Sequence, residues 1–196
     1  LIRCARYPEA LDAIDGVAQR WTELGDLAAA INVSSLEAYI ANQMGRVGDA
    51  LDLAARTLVM LDDLEAAADQ GSSPGIGHSG EGTDTPAVLI STCRNTLGLL
   101  FLDLDALDRA IVEFTQAFDR AGDDPLLAGL VQLNLASAFL RKALRNRNGS
   151  ADLTGVEAEL ASAERLAREV LASDVPPRRH VEAASILASV LHSTHR

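Results

Sequence analysis

Aromatic residues are scarce in this sequence. They make up 4% of its 196 residues, although hydrophobic residues make up 48%. A chain of this length can bury a substantial core. That core must be built mainly from Ala, Leu, Ile and Val, a composition that suits closely packed helices. A β-rich fold would need more aromatic and β-branched residues. We therefore expect an all-α protein.

Basic residues are also few. The 17 Lys and Arg stand against 28 Asp and Glu, so the formal net charge is −11. Such a surface repels a phosphate backbone, and we expect no nucleic-acid partner. Only Lys142 is a lysine, which beside the abundant Ala indicates a GC-rich bacterial genome. The single basic cluster, RKALRNR at 141–147, is interpreted as compensating the negative end of its helix, with anion or partner binding as the alternative.

The sequence has only two cysteines and no long apolar run. Cys4 and Cys93 are too few and too far apart for a disulfide framework or a CxxC metal site. They are typical of reduced, buried thiols in a cytoplasmic protein. No apolar stretch approaches the ~20 residues of a membrane-spanning helix, so we expect no membrane partner. The chain lacks a signal-peptide pattern and ends on a helical one, which indicates a fragment of a longer protein.

Residues for catalysis or metal binding are equally sparse. The four His residues, at 78, 180, 192 and 195, lie away from both cysteines in sequence and in no nucleophile motif. Two of them are three residues apart on a predicted helix, but no Cys or carboxylate completes a metal-ligand spacing. The glycines at 75–80 match no phosphate-binding loop. We expect no catalytic residue, metal or cofactor, and an enzyme is the least favoured class.

Apolar residues recur at helical spacing over nearly the whole chain, and prolines and capping residues divide them into segments. Two connections, at 70–86 and 146–155, are rich in Gly, Ser and Asp and are predicted to be loops. The pattern predicts eight helices: 8–24, 27–44, 47–69, 87–103, 106–121, 125–146, 153–173 and 177–194.

One segment carries a motif whose spacing is hard to obtain by chance. The sequence LGLLFLDLDALDRAIVEFTQA at 97–117 begins with L-G-x2-F and continues with A-x3-F-x2-A. It resembles the tetratricopeptide repeat, whose two helices are antiparallel. The resemblance implies that small residues at Gly98 and Ala110 let the helices approach closely. Arg94 stands where the family has Trp.

Weaker copies of this motif extend the resemblance over the chain. Their spacing exceeds that of a repeat of about 34 residues, which implies longer helices, as in bacterial and in particular actinobacterial signalling and regulatory proteins. The resemblance implies one domain over 1–196, folded as a right-handed α-solenoid of antiparallel helix pairs. The predicted parts are full repeats at 27–69, 87–121 and 125–173, with single helices at 8–24 and 177–194.

The resemblance also implies a function. In this family the first helix of each repeat lines a concave groove, and the groove binds a protein or peptide segment. We expect a non-catalytic, cytoplasmic module of protein interaction or peptide sensing, within a larger bacterial signalling or regulatory protein. The alternative is a structural or dimerisation segment that relays assembly state to an attached catalytic domain, such as a diguanylate cyclase. The family's groove positions correspond here to Asn32, Ser35, Tyr39, Asn42, Asn95, Leu99, Leu102, Ser137 and Arg141.

Overall fold

The computed structural model describes residues 6–70, 85–122, 124–149 and 153–194. The expectation of an all-α protein is confirmed for these residues, which contain helices and no strand. The predicted loop at 70–86 lies mostly outside these ranges. The nine helices that the described residues form are α1 (Tyr7–Ile14), α2 (Val17–Glu23), α3 (Leu27–Gln43), α4 (Val47–Asp69), α5 (Pro86–Asp103), α6 (Leu107–Arg120), α7 (Pro125–Gly149), α8 (Leu153–Ala172) and α9 (Pro177–Thr194).

The helix starts follow the capping signals of the sequence. The Thr85 hydroxyl accepts a hydrogen bond from the backbone N–H of Val88 at 3.4 Å, before α5. The Asp124 carboxylate accepts from the N–H groups of Leu126 and Leu127 at 2.9 and 3.1 Å, before α7. Each side chain satisfies donors that a first helical turn leaves without a partner. Thr85 and Asp124 are therefore the N-caps of α5 and α7.

The first helical segment differs from its prediction. The sequence predicts one helix over 8–24, but α1 ends at Ile14 and α2 begins at Val17. Asp15 is extended, with φ −56° and ψ 128°, and Gly16 is left-handed, with φ 69°. A left-handed residue cannot continue a right-handed helix, and glycine adopts this conformation without steric cost. The prediction of an unbroken helix is therefore wrong.

The connection predicted at 146–155 is shorter than expected, because α7 continues to Gly149 and α8 begins at Leu153. Two side chains hold the last described turn of α7. The Asn146 amide donates to the Glu159 carboxylate at 3.1 Å, and Arg147 donates to the backbone carbonyl of Ser193 at 3.0 Å. These partners on α8 and α9 stabilise a turn whose composition favours a loop.

The chain divides into two compact units, 1–100 and 101–196, and each is described by itself. In the first unit, α3 and α4 are joined by the three residues 44–46 and therefore run antiparallel. Ala38 on α3 and Ala50 on α4 are both fully buried. Small residues at these positions allow the close packing of two helix backbones. The pair α3 and α4 coincides with the first predicted full repeat.

A buried ion pair links α5 to α4 in the first unit. Arg94 is 2% exposed, and its guanidinium donates to the Asp62 carboxylate at 2.7 Å and to the Glu65 carboxylate at 2.6 Å. The position of the family's Trp is thus occupied by a charged side chain that is compensated by two carboxylates. This arrangement satisfies a cation that would otherwise be costly to bury.

In the second unit, side-chain contacts define the directions of α7 and α8. Gln132, near the start of α7, donates to the carboxylate of Glu169, near the end of α8, at 3.1 Å. Lys142, further along α7, pairs with Glu159, near the start of α8, also at 3.1 Å. Residues that follow each other on α7 therefore meet residues in reverse order on α8. The two helices are antiparallel.

Packing shows that α9 runs parallel to α7. Leu133, early in α7, shares a buried cluster with Ala183, early in α9. Ala143, late in α7, shares another with Val190, late in α9. The second unit thus contains two parallel helices, α7 and α9, which both pack against the antiparallel α8. Helix pairs that repeat in register produce this order.

The residues of the 97–117 motif are all buried, as expected for positions that pack helices together. Whether Gly98 faces Ala110 stays a prediction. The buried members of the motif are Leu97, Gly98, Phe101, Ala110, Phe114 and Ala117.

Candidate functional site

The predicted site residues of α3 are not equally accessible. Asn32 is exposed, and Tyr39 and Asn42 are half-buried. Ser35 is only 1% exposed, and its hydroxyl donates to the backbone carbonyl of Asn32 at 2.8 Å. Its hydroxyl also forms a hydrogen bond with the thiol of Cys93 on α5. A neighbouring helix thus covers Ser35 in this structure, and its contact with a ligand stays a prediction.

The predicted site residues of α5 are mostly buried. Asn95 and Leu102 are 6% and 8% exposed, so neither presents a side chain to a ligand in this structure. Leu99 is half-buried. The contact of Asn95 and Leu102 with a ligand stays a prediction. These positions contribute to helix packing, where a Leu is ordinary and a buried amide requires hydrogen-bond partners.

The two predicted residues of α7 differ in their surroundings. Ser137 is half-buried and donates to the backbone carbonyl of Leu133 at 2.9 Å. Arg141 is exposed, and its guanidinium lies 3.4 Å from the Asp105 carboxylate. Ser137 thus lies beside a groove described below, whereas Arg141 is already engaged by an acidic group of the same chain.

The basic cluster of α7 is bound to its own unit. Lys142 pairs with Asp108 at 2.7 Å, and this hydrogen bond is the main reason that the pKa of Lys142 is raised. Arg145 donates to the carbonyl of Asp105 at 3.0 Å and pairs with its carboxylate at 3.2 Å. Asp105 has a positive φ of 57°, which is uncommon for a residue with a side chain. The cluster therefore fastens α7 to the turn before α6, and it is not a free anion site.

A groove runs between the parallel helices α7 and α9 of the second unit. Its volume is about 560 Å³, within the range of ligand-binding clefts. Apolar side chains form part of the lining, and Val181 at its edge is 70% exposed. An ion pair of 2.8 Å joins Arg179 to Glu182 along the α9 side. The lining residues are Leu133, Asn134, Ser137, Arg179, Val181, Glu182, Ser185 and Ile186.

A second cleft, of about 510 Å³, lies in the first unit between the α1–α2 break, α3 and α4. Sequence reasoning missed this cleft because its charged residues lie far apart along the chain. The only local signal is the dipeptide Asp15–Gly16, at which the helix breaks. The lining residues are Asp15, Gly16, Ala18, Gln19, Thr22, Ser34, Glu37, Leu53, Arg56, Thr57 and Met60.

The residues with the most reactive side chains do not form a chemical site in the described part of the chain. Cys93 is fully buried, and burial raises the pKa of its thiol to about 12, so it is protonated at neutral pH. His180 Nε2 lies 3.1 Å from the backbone carbonyl of Ser173. No three metal-ligating residues cluster within the described ranges. Cys4, His78 and His195 lie outside them.

The same residues contain no helix that is both long and apolar enough to cross a membrane. None of the protein-family models, curated proteins or solved structures with which the chain was compared matches it. The resemblance to tetratricopeptide repeats therefore depends on the motif at 97–117 and its weaker copies.

Proposed function

We propose that the chain is a non-catalytic module of tetratricopeptide type that binds a peptide segment of another protein. In this proposal the helix pairs stack as a right-handed α-solenoid. The order of α7, α8 and α9 supports it, because two parallel helices flank an antiparallel one, as consecutive repeats require. The proposed setting is a cytoplasmic bacterial signalling or regulatory protein, supported by the composition of the chain.

The groove between α7 and α9 is the observation that carries this proposal. α7 is the first helix of the third predicted repeat, α9 follows the second helix of that repeat, and Ser137, one of the predicted groove positions, lines the groove. Apolar side chains such as Ile186 can receive side chains of an extended peptide, while hydroxyl and charged groups on the walls bind its backbone. An enzyme would require converging reactive groups, which this groove does not supply.

A peptide-display selection tests the proposal. The immobilised chain is expected to enrich peptides that bind it, and these peptides should bind the variant Val181→Glu more weakly. The substitution places a charge on an exposed apolar wall of the groove, so bound peptides should lose at least about tenfold in affinity, or about 1.4 kcal/mol. Isothermal titration of synthetic peptides measures the loss.

Leu126→Glu is the matched control. Leu126 is an apolar residue of the same unit that is also exposed, and it does not line the groove. Peptides should bind this variant as they bind the unaltered chain. Enriched peptides that bind the Val181 variant with full affinity would move the site away from the α7–α9 groove.

A second candidate function, self-association, is favoured by the exposed face of α9. If α9 is the first helix of a further repeat, Ala188 corresponds to Gly98 of the 97–117 motif and to Ala38 and Ala136 of its weaker copies, which are all buried. Ala188 itself is exposed, and Leu191 beside it is 36% exposed. This face of α9 therefore has the small and apolar residues of a helix-packing surface, but no helix of the described residues covers it. A second copy of the chain could dock there as a dimerisation surface.

Light scattering coupled to size-exclusion chromatography separates the two functions. If the α9 face pairs copies, the mass should rise with concentration toward a multiple of 20.7 kDa. Ala188→Glu should then restore the monomer, because the glutamate places an unpaired charge in the contact. A monomer at every concentration excludes this alternative and leaves the peptide-binding proposal unaffected.

A further inference from the structure

The cleft of the first unit brings three charged side chains together. Asp15 lies at the break between α1 and α2, Glu37 on α3 and Arg56 on α4, and all three line the same cavity. Gly16 is left-handed, so the chain turns there between α1 and α2, and both Gly16 and Asp15 line the cleft. Three separate elements therefore each present one charge to a shared space.

These charges are not satisfied by one another. Within the described residues, no hydrogen bond or ion pair joins the carboxylates of Asp15 and Glu37 to a protein group, and Arg56 pairs with neither of them. The only hydrogen bond of Arg56 there is a long one, 3.4 Å from its Nε to the carbonyl of Asp52. Asp15 and Arg56 are exposed and therefore solvated, whereas Glu37 is half-buried, and a half-buried charge normally has a partner.

The electrostatics of the cleft show what kind of group would fit beside Glu37. Burial raises the pKa of Glu37, and the neighbouring Asp15 raises it further, while Arg56 acts in the opposite direction. The carboxylate is thus held in a place that disfavours its own charge. A cation near both carboxylates would stabilise the ionised form of Glu37. An anion would be stabilised only near the guanidinium of Arg56.

The remaining walls limit the ligand to a short, partly apolar body. Leu53 and Met60 supply apolar surface. The hydroxyls of Thr22 and Thr57 donate to backbone carbonyls of their own helices, at 3.0 and 2.8 Å, so they are not free donors. A volume of about 510 Å³ accommodates a small organic molecule.

We infer that this cleft binds a small zwitterion, such as a free amino acid or a dipeptide, with its ammonium group at Asp15 and Glu37 and its carboxylate at Arg56. The site is separate from the α7–α9 groove and does not depend on the peptide-binding proposal. It gives the first unit a binding function of its own, toward a metabolite or a peptide with free termini.

Nuclear magnetic resonance of the labelled chain provides the test, with the Gly16 amide as the local reporter. The probes are pools of free L-amino acids and of glycyl dipeptides, followed by the single compounds that produce shifts. We expect saturable shifts at Gly16 with at least one zwitterion. n-Butylamine and butyrate, which each carry one of the two charges, should bind at least about tenfold more weakly. The two pools distinguish a free amino acid from a dipeptide.

Two variants test the assigned roles. Glu37→Gln and Arg56→Gln should each weaken the zwitterion at least about tenfold, because each removes a charged partner. Asp63→Asn and Arg20→Gln are the matched controls, since both residues are exposed, lie on the same helices as the cleft and do not line it. Their affinities should not change.

Glu37→Gln has a further readout, which separates loss of the ligand from loss of the fold. Because the folded-state pKa of Glu37 is raised, its ionised form opposes folding at neutral pH, and stability increases as the pH falls toward that pKa. The glutamine variant should therefore melt at a higher temperature at pH 7 while it loses ligand. Three results would each overturn the inference. The first is that no zwitterion shifts the Gly16 amide, and the second is that n-butylamine binds as tightly as any zwitterion. The third is that Arg56→Gln binds the zwitterion with full affinity.

Discussion

Replacing Arg94 with Ala is expected to lower the free energy of unfolding by about 3–5 kcal/mol. Arg94 is 2% exposed, and its guanidinium pairs with Asp62 at 2.7 Å and Glu65 at 2.6 Å. Its removal leaves Glu65, whose side chain is 17% exposed, without its cationic partner. It also leaves a void between α4 and α5 that the surrounding helices fill only in part. Urea denaturation followed by circular dichroism measures the loss.

Arg46→Ala is the control for this prediction. Arg46 also pairs with a carboxylate, that of Asp49, at 2.7 Å, but the two side chains are 50% and 56% exposed. Solvent screens such a pair, and its loss should cost about 0–1 kcal/mol. If the two variants lose the same stability, then the Arg94 ion pair contributes no more than a surface one.

The role of Arg94 illustrates what the sequence could not predict. The resemblance places Arg94 where the family has Trp. This position indicates a departure from the family pattern, but it does not identify the partners of Arg94. Its two carboxylates lie 29 and 32 residues earlier on α4. A sequence shows pairs within one helix through their three- and four-residue spacing, but it contains no such spacing for partners on different helices. Only the packing of α5 on α4 brings them together.

Helices and their caps follow from the sequence because their signals are local. The hydrogen bonds of Thr85 and Asp124 depend on residues two or three positions away. The break at Gly16 was missed for the same physical reason, since apolar residues continue at helical spacing from Ile14 to Val17 on its two sides. One glycine inside a helical pattern is compatible with an unbroken helix, so the pattern alone does not identify a break.

The exposure of the predicted groove residues does not follow from the sequence. Family positions separate first-helix residues that face a groove from those that face the second helix, but they do not show how closely successive first helices pack. Ser35 is covered because it contacts Cys93 on α5, whereas Ser137 stays at the edge of the α7–α9 groove. A small polar side chain is compatible with a covered position between helices and with an accessible position at a groove. The charges of the first-unit cleft, Asp15, Glu37 and Arg56, form no motif because three separate elements supply them.

Replacing Gly129 with Ala is expected to destabilise the second unit by about 1–3 kcal/mol. Gly129 is buried on α7, and a Cβ atom there would lie 2.9 Å from Cγ1 of Val175 in the connection between α8 and α9. Val175 cannot easily move aside, because it is stiff at χ1 and packs in a buried cluster with Leu133, Val170 and Ala183. Thermal and urea unfolding measure the effect.

Gly48→Ala supplies the contrast, and a second substitution identifies the cause. Gly48 lies in the first turn of α4 with nothing within 4 Å of its added Cβ, so alanine there should stabilise by about 0.4–1 kcal/mol through the unfolded state.

In a Val175→Ala background the methyl group that Gly129→Ala would strike is gone. The cost of Gly129→Ala should then fall by at least about 0.5 kcal/mol, a coupling that a double-mutant cycle resolves. An unchanged cost in that background would show that the destabilisation does not arise from the contact with Val175, and that the close approach of α7 to the α8–α9 connection does not require glycine.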